Sequence, residues 1–66
     1  MPPITETVIG DVEKGVDLVL RVRTLEVDGE EFLDVRDYVP SSDTYGRGVV
    51  IPRKQAAGIA KLLRSA

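Results

Sequence analysis

The chain has 66 residues, a formal net charge of −2, 42 % hydrophobic residues, no cysteine and no histidine. That length admits one domain, and a domain so small buries only about 60 % of the surface its unfolded chain exposes. Disulfides and nearly all structural zinc sites are excluded, leaving self-association as the expected supplement to a small core.

Met1-Pro2-Pro3 is expected to be a flexible end, ahead of one domain over residues 4–66. Ile4 to Val12 is rich in β-branched residues and reads as a strand. Glu13-Lys14-Gly15 reads as a turn, with the glycine supplying a positive φ. Val16 to Val27 gives the strongest strand signal: Leu18, Leu20 and Val22 share one face, and Val19, Arg21 and Arg23 the other.

Asp28-Gly29 is a hairpin signal, because both central residues of a type I′ turn need positive φ. With that pair at the turn centre, Val27 faces Glu30, Arg23 faces Asp34, Val22 faces Val35 and Arg21 faces Arg36. A loop longer by two residues leaves every side chain on the same face. In the third strand Leu33 and Val35 point to the core, and Phe32, Asp34, Arg36 and Tyr38 point away from it.

Pro40 to Thr44 is a polar loop, and Gly48 to Ile51 is a short strand. Pro52 opens a helix that runs to about Arg64, with Ala56, Ile59, Ala60 and Leu63 as its buried stripe. Gly58 costs that helix about 1 kcal/mol relative to alanine, which points to close packing or to a helix held by its contacts. The expected architecture is α+β: a curved antiparallel sheet of four strands with one C-terminal helix over one face. A single helix cannot cover the long hairpin as well as its own stripe, so a homodimer in which helices and sheet edges meet is expected, with Ala56, Ile59, Ala60 and Leu63 at its interface.

Charge is unevenly distributed. Arg47, Arg53, Lys54, Lys61 and Arg64 are the only charged residues from position 44 onward, and all 11 acids precede them. Local field, more than net charge, guides a polyanion to its site. Arg21 and Arg36 are placed as neighbours, a destabilising arrangement unless an anion lies between them. Phe32 and Tyr38 flank Arg36 at two-residue spacing, offering charge for a phosphate and π surface for bases. Tyr45-Gly46-Arg47-Gly48 sets an arginine between glycines, where backbone can approach a ligand. Arg53 and Lys54 stand in the first helical turn, where the macrodipole disfavours cations, and a bound phosphate is one compensation. Against this, Arg23 beside Asp34 reads better as an ordinary cross-strand ion pair.

Catalysis is not expected: Asp34, Asp37 and Glu31 do not cluster, and Ser41, Ser42 and Ser65 have no histidine or cysteine partner. No cofactor or metal is expected; Asp28 to Glu31 lacks the spacing of an EF-hand calcium loop. No apolar run approaches the roughly 20 residues that span a bilayer and no signal peptide is recognisable, so a soluble, cytoplasmic protein without membrane partners is the expectation.

Phe32-Leu-Asp-Val-Arg-Asp-Tyr38 and Gly46-Arg-Gly-Val-Val-Ile51, with the Asp28-Gly29 tip and the helical positions Gln55, Ile59 and Leu63, resemble the positive cofactor four family of transcriptional coactivators and its small bacterial relatives. The resemblance runs from about Leu18 to Leu63. It implies a homodimer of β4α units that binds single-stranded DNA in two grooves and acts in transcription or DNA maintenance. Arg36 and Arg47 match the family's DNA-contacting basic positions, Tyr38 falls in its aromatic element, and Arg21 and Arg23 lie on the strand that supplies further basic contacts. Val39 replaces a stacking tryptophan known in the family, and Val27, Asp28 and Glu30 make acidic a tip that is elsewhere aromatic and basic. Weaker binding, a shifted path or partial loss of the activity follows from those departures.

The combined expectation is a homodimeric single-stranded DNA-binding accessory factor, with RNA not distinguished from DNA. Its contact residues are Arg21, Arg23, Phe32, Arg36, Tyr38, Tyr45, Arg47, Arg53 and Lys54. The alternative is a protein-interaction subunit of the transcription or replication machinery with the same fold.

Overall fold

The computed structural model describes residues 4–66, so the expected flexible segment 1–3 lies outside the described residues. Four strands, β1 (Ile4–Gly15), β2 (Leu18–Val27), β3 (Glu30–Val39) and β4 (Thr44–Pro52), form one open sheet in the order of the chain. Each pairs antiparallel with its sequence neighbour. A 3₁₀ turn over Arg53–Gln55 leads into a helix, α1 (Ala56–Ser65).

The Asp28-Gly29 turn sets the central register. Both residues have positive φ, 54° and 82°, and the pairs Val27 with Glu30, Arg23 with Asp34, Val22 with Val35 and Arg21 with Arg36 follow from it. The first turn differs from the sequence expectation. Gly15 remains in β1, paired with Leu18, and the residue at positive φ is Asp17, at 52°. Aspartate tolerates that conformation because its side chain can bond nearby backbone. Here the Asp17 carboxylate accepts bonds from the Ser41 amide, at 3.2 Å, and the Ser41 hydroxyl, tying the β1–β2 turn to the β3–β4 loop. Asp43 closes that loop at φ 51°, its amide donating to the Pro40 carbonyl at 3.3 Å.

β4 begins four residues before the expected Gly48. A register shift between the Arg36–Gly48 and Tyr38–Tyr45 pairs sets two residues, Gly46 and Arg47, opposite Asp37. This bulge absorbs the extra residue, so pairing continues through it to Thr44.

The register divides the sheet into two faces. One carries Val12, Leu20, Val22, Leu33, Val35, Val49 and Ile51; the other carries Arg21, Arg23, Phe32, Asp34, Arg36, Tyr38 and Tyr45. The helix does not cover the apolar face, which corrects the expectation of a helix packed on its own sheet. Its main contact is with the 3₁₀ turn before it, because the short connection after Pro52 leaves it at the end of the sheet. Leu62 and Leu63 stay 72 % and 70 % exposed, and Val12 and Val49 on the sheet are exposed as well. Gly58 has open space where a Cβ would stand, so within one chain it packs against nothing. The helix has 10 residues and its N-cap, Gln55, makes no side-chain capping bond; a helix that short is marginal in water without tertiary contacts.

Gly48 is the glycine held by the closest approach. A Cβ there would lie 2.1 Å from the Arg36 Cβ and 2.3 Å from the Val35 carbonyl oxygen. Gly48→Ala is expected to lower stability by about 1–3 kcal/mol through overpacking of the β3–β4 ladder, read as a lower urea midpoint with an unchanged slope.

Candidate nucleic-acid interface

The two-residue period of β2 and β3 places Arg21, Arg23, Asp34, Arg36 and Tyr38 on one face, and β4 adds Tyr45 beside Tyr38. Asp34 is the centre of this face and is 0 % exposed. Its carboxylate accepts Arg23 Nε at 2.6 Å and Arg36 Nε at 2.8 Å, and Arg36 Nη2 lies 2.7 Å from Oδ1. Burial by itself would raise the pKa of Asp34, but the bonds from Arg36 and Arg23 outweigh it and hold the carboxyl below its ordinary value. The bond from Asp34 in turn raises the pKa of Arg36. Arg36 Nη1 also donates to the Gly46 carbonyl at 3.2 Å, fastening the β4 bulge.

Arg21 is held separately. Its Nε and Nη2 donate to the two oxygens of Asp11 at 2.9 and 3.0 Å, a bidentate geometry that is among the stronger charged hydrogen bonds. The bond from Arg21 lowers the pKa of Asp11, and the bonds to Asp11 and Tyr45 raise that of Arg21. The Arg21 guanidinium lies 3.6 Å above the centroid of the Tyr38 ring, and that of Arg23 lies 4.1 Å above the Tyr45 ring. The two tyrosine rings meet at 4.9 Å between centroids, tilted by 48°. Tyr38 Oη donates to Asp43 at 2.6 Å, a bond that, with burial, raises the phenol pKa.

The structure thus brings Arg21, Arg23, Arg36, Tyr38 and Tyr45 together, with the expected Arg23–Asp34 ion pair and with further partners, Glu6 and Asp11, that the sequence reading did not assign. The close placement of Arg21 and Arg36 is relieved from within the protein, by Asp11 for the first and Asp34 for the second. Arg23 additionally pairs with Glu6. Tyr38 is buried, with Arg21 over one ring face, so it orients a guanidinium; Tyr45 and Phe32 are half-buried. Arg47, in the bulge, and Arg53 and Lys54, in the 3₁₀ turn, are exposed. Among the described residues Arg47, Arg53, Lys54, Lys61 and Arg64 form no ion pair. Arg53 and Lys54 line a shallow cleft together with Phe32, Pro52, Glu30 and Glu31.

Glu6 and Asp11 are the members of the cluster that sequence reasoning missed. The β1 register shifts between Val8, paired with Arg23, and Gly10, paired with Val22. The extra residue reverses the alternation and sets Asp11 opposite Arg21, on the charged face.

No helix among the described residues is long and apolar enough to cross a membrane. Comparison of the chain with protein-family profiles, with curated proteins and with solved structures finds no match.

Asp34→Asn leaves two guanidiniums facing a neutral amide, and breaking such a pair costs about 3–5 kcal/mol. A variant unfolded at room temperature, or one with a far lower melting temperature, is expected. Because the folded-state pKa of Asp34 is depressed, its contribution is present above the ordinary aspartate pKa of about 3.9 and is lost as pH falls through the depressed value. Asp11 acts in the same direction. Melting temperatures followed by circular dichroism should therefore fall steeply below about pH 4.

Proposed function

We propose that the protein is a homodimeric single-stranded nucleic-acid-binding module, serving as an accessory in transcription or DNA maintenance. The observation that carries this reading is one sheet face with arginines and tyrosines stacked in alternation, bordered by cations that no carboxylate neutralises. A single strand needs charge for its phosphates and ring surface for its bases. Arg47 stands five residues before Pro52, the end of the edge strand β4, and Arg53 and Lys54 follow in the 3₁₀ turn. At about 3.3 Å per residue the strand part alone spans roughly 16 Å, room for a few nucleotides. Phosphates lie along this edge at Arg47, Arg53 and Lys54, and bases reach inward to Tyr45 and Phe32. Arg36 serves chiefly as the partner of Asp34 that supports the edge. The likeness of the third and fourth strands to the positive cofactor four family supports the same reading.

Uncovered apolar surface supports the dimer. The apolar sheet face and the helical side chains Ile59, Leu62 and Leu63 both need cover, and a second copy supplies one for the other. A second reading, a protein-interaction subunit of the transcription or replication machinery, is favoured by one observation: Glu6, Asp11 and Asp34 neutralise the three central arginines.

Sedimentation equilibrium should give twice the 7.2 kDa chain mass; a monomer at micromolar concentration contradicts the dimer. Fluorescence polarisation with a labelled thymine oligonucleotide, its duplex and its RNA counterpart should show tighter binding to single strands. The log–log salt slope should be roughly −0.7 per phosphate neutralised. Arg47→Ala should flatten that slope by about one phosphate's worth with no change in melting temperature. A folded dimer that binds none of the probes supports the protein-interaction reading.

A further inference from the structure

The two carboxylates that reach the arginines from the edge strand differ from the one at the centre. Asp34 is sealed from solvent, whereas the Glu6 and Asp11 side chains are 39 % and 34 % exposed. Both belong to β1, whose residues are exposed along its whole length. β1 has β2 as its single neighbour in the sheet order.

Resting on the reading of this face as a single-strand site, we infer that Glu6 and Asp11 are an internal gate on it. They occupy the guanidinium donors of Arg23 and Arg21 that phosphates would take, and the strand gains those arginines only by displacing them. Three features carry the inference. The Asp11 carboxylate engages Arg21 through Nε and Nη2 at 2.9 and 3.0 Å, the two-point geometry that guanidinium offers equally to phosphate. The β1 bulge is what delivers it: were pairing to continue regularly past Val8, Ile9 would oppose Val22, Gly10 would oppose Arg21 and Asp11 would fall on the apolar face, and re-aiming a side chain is a recurrent use of bulges. The arginines are also held independently of the gate. Arg21 rests on the Tyr38 ring and Arg23 on the Tyr45 ring, and Arg23 keeps its bond to Asp34. Both guanidiniums therefore stay in place when the β1 carboxylates leave. Glu6 and Asp11 keep about a third or more of their side-chain surface in water, so their removal costs less than that of the sealed Asp34.

The test is the paired substitution Glu6→Gln with Asp11→Asn in the full chain, titrated beside the unsubstituted protein with a labelled thymine oligonucleotide across a salt series. The variant should bind at least about tenfold tighter at low salt, with a log–log slope steeper by about two phosphates' worth. Adding Arg21→Ala to it should remove about half of the extra slope. Binding by the variant where the unsubstituted protein is silent also supports the gate. Equal affinity and slope in two folded proteins overturns the gate and leaves the single-strand reading intact. Absence of binding in both overturns gate and reading together. If the paired variant does not fold, Asp11→Asn alone should steepen the slope by about one phosphate's worth, and an unchanged slope overturns the proposal.

Discussion

A carboxylate with no solvent exposure, in an open sheet of 66 residues, is the constraint from which the rest of this molecule is arranged. Removing Asp34 from water is costly, and the cost is offset only where two guanidiniums converge on it from positions fixed by strand pairing. Arg23 arrives from the opposite strand and Arg36 from two residues along its own. A slip of one residue between β2 and β3 would turn Arg23 to the far face, leaving the carboxylate with Arg36 alone. The buried pair thus pins the register that the Asp28-Gly29 turn proposes. From there order spreads outward: Arg36 holds the bulge of β4 through the Gly46 carbonyl, and Arg23 lies over the Tyr45 ring.

This reverses the usual division between a buried apolar side and a wet polar side. The most enclosed side chains are Asp34 and Tyr38, both on the charged face, while valines and leucines of the opposite face and the helix meet solvent. Burial of apolar surface is worth about 25 cal/mol per Å², and one chain leaves much of that stabilisation unused. The same asymmetry separates two tasks. The charged face is complete within one chain, held by ion pairs and stacked rings, so association through the apolar face need not disturb it.

Much of the sheet was legible because parity is a robust signal. Asp28-Gly29 set the pairing of Arg21, Arg23, Asp34 and Arg36 to the residue, and the shared face of Arg36, Phe32 and Tyr38 followed from their spacing. What escaped were the places where parity breaks. The β1 bulge turns Asp11 toward Arg21, and nothing in Val8-Ile9-Gly10 announces it beyond one glycine. The β4 bulge extends a strand expected to begin at Gly48 back to Thr44. Gly15 drew the first turn toward itself because glycine is the commoner left-handed residue, yet Asp17 takes that conformation, anchored by Ser41. The amphipathic stripe of α1 was readable, but not what it packs against, since a stripe specifies that a partner is needed and not which surface supplies it.

The order β1-β2-β3-β4 means that every strand pairs only with its sequence neighbours, a topology of short loop closures that favours rapid folding. It also ranks the strands by persistence. β2 and β3 are clasped on both sides and share the Asp34 cluster, whereas β1 hangs from one ladder interrupted by two register shifts. Its amides belong at the low end of the protection scale in hydrogen exchange, opening in a sub-global step that spares the central hairpin. Because Glu6 and Asp11 ride on that strand, its fraying strips both outer carboxylates from the arginines in a single event. Sheet breathing and the charge state of the face are in this way one equilibrium.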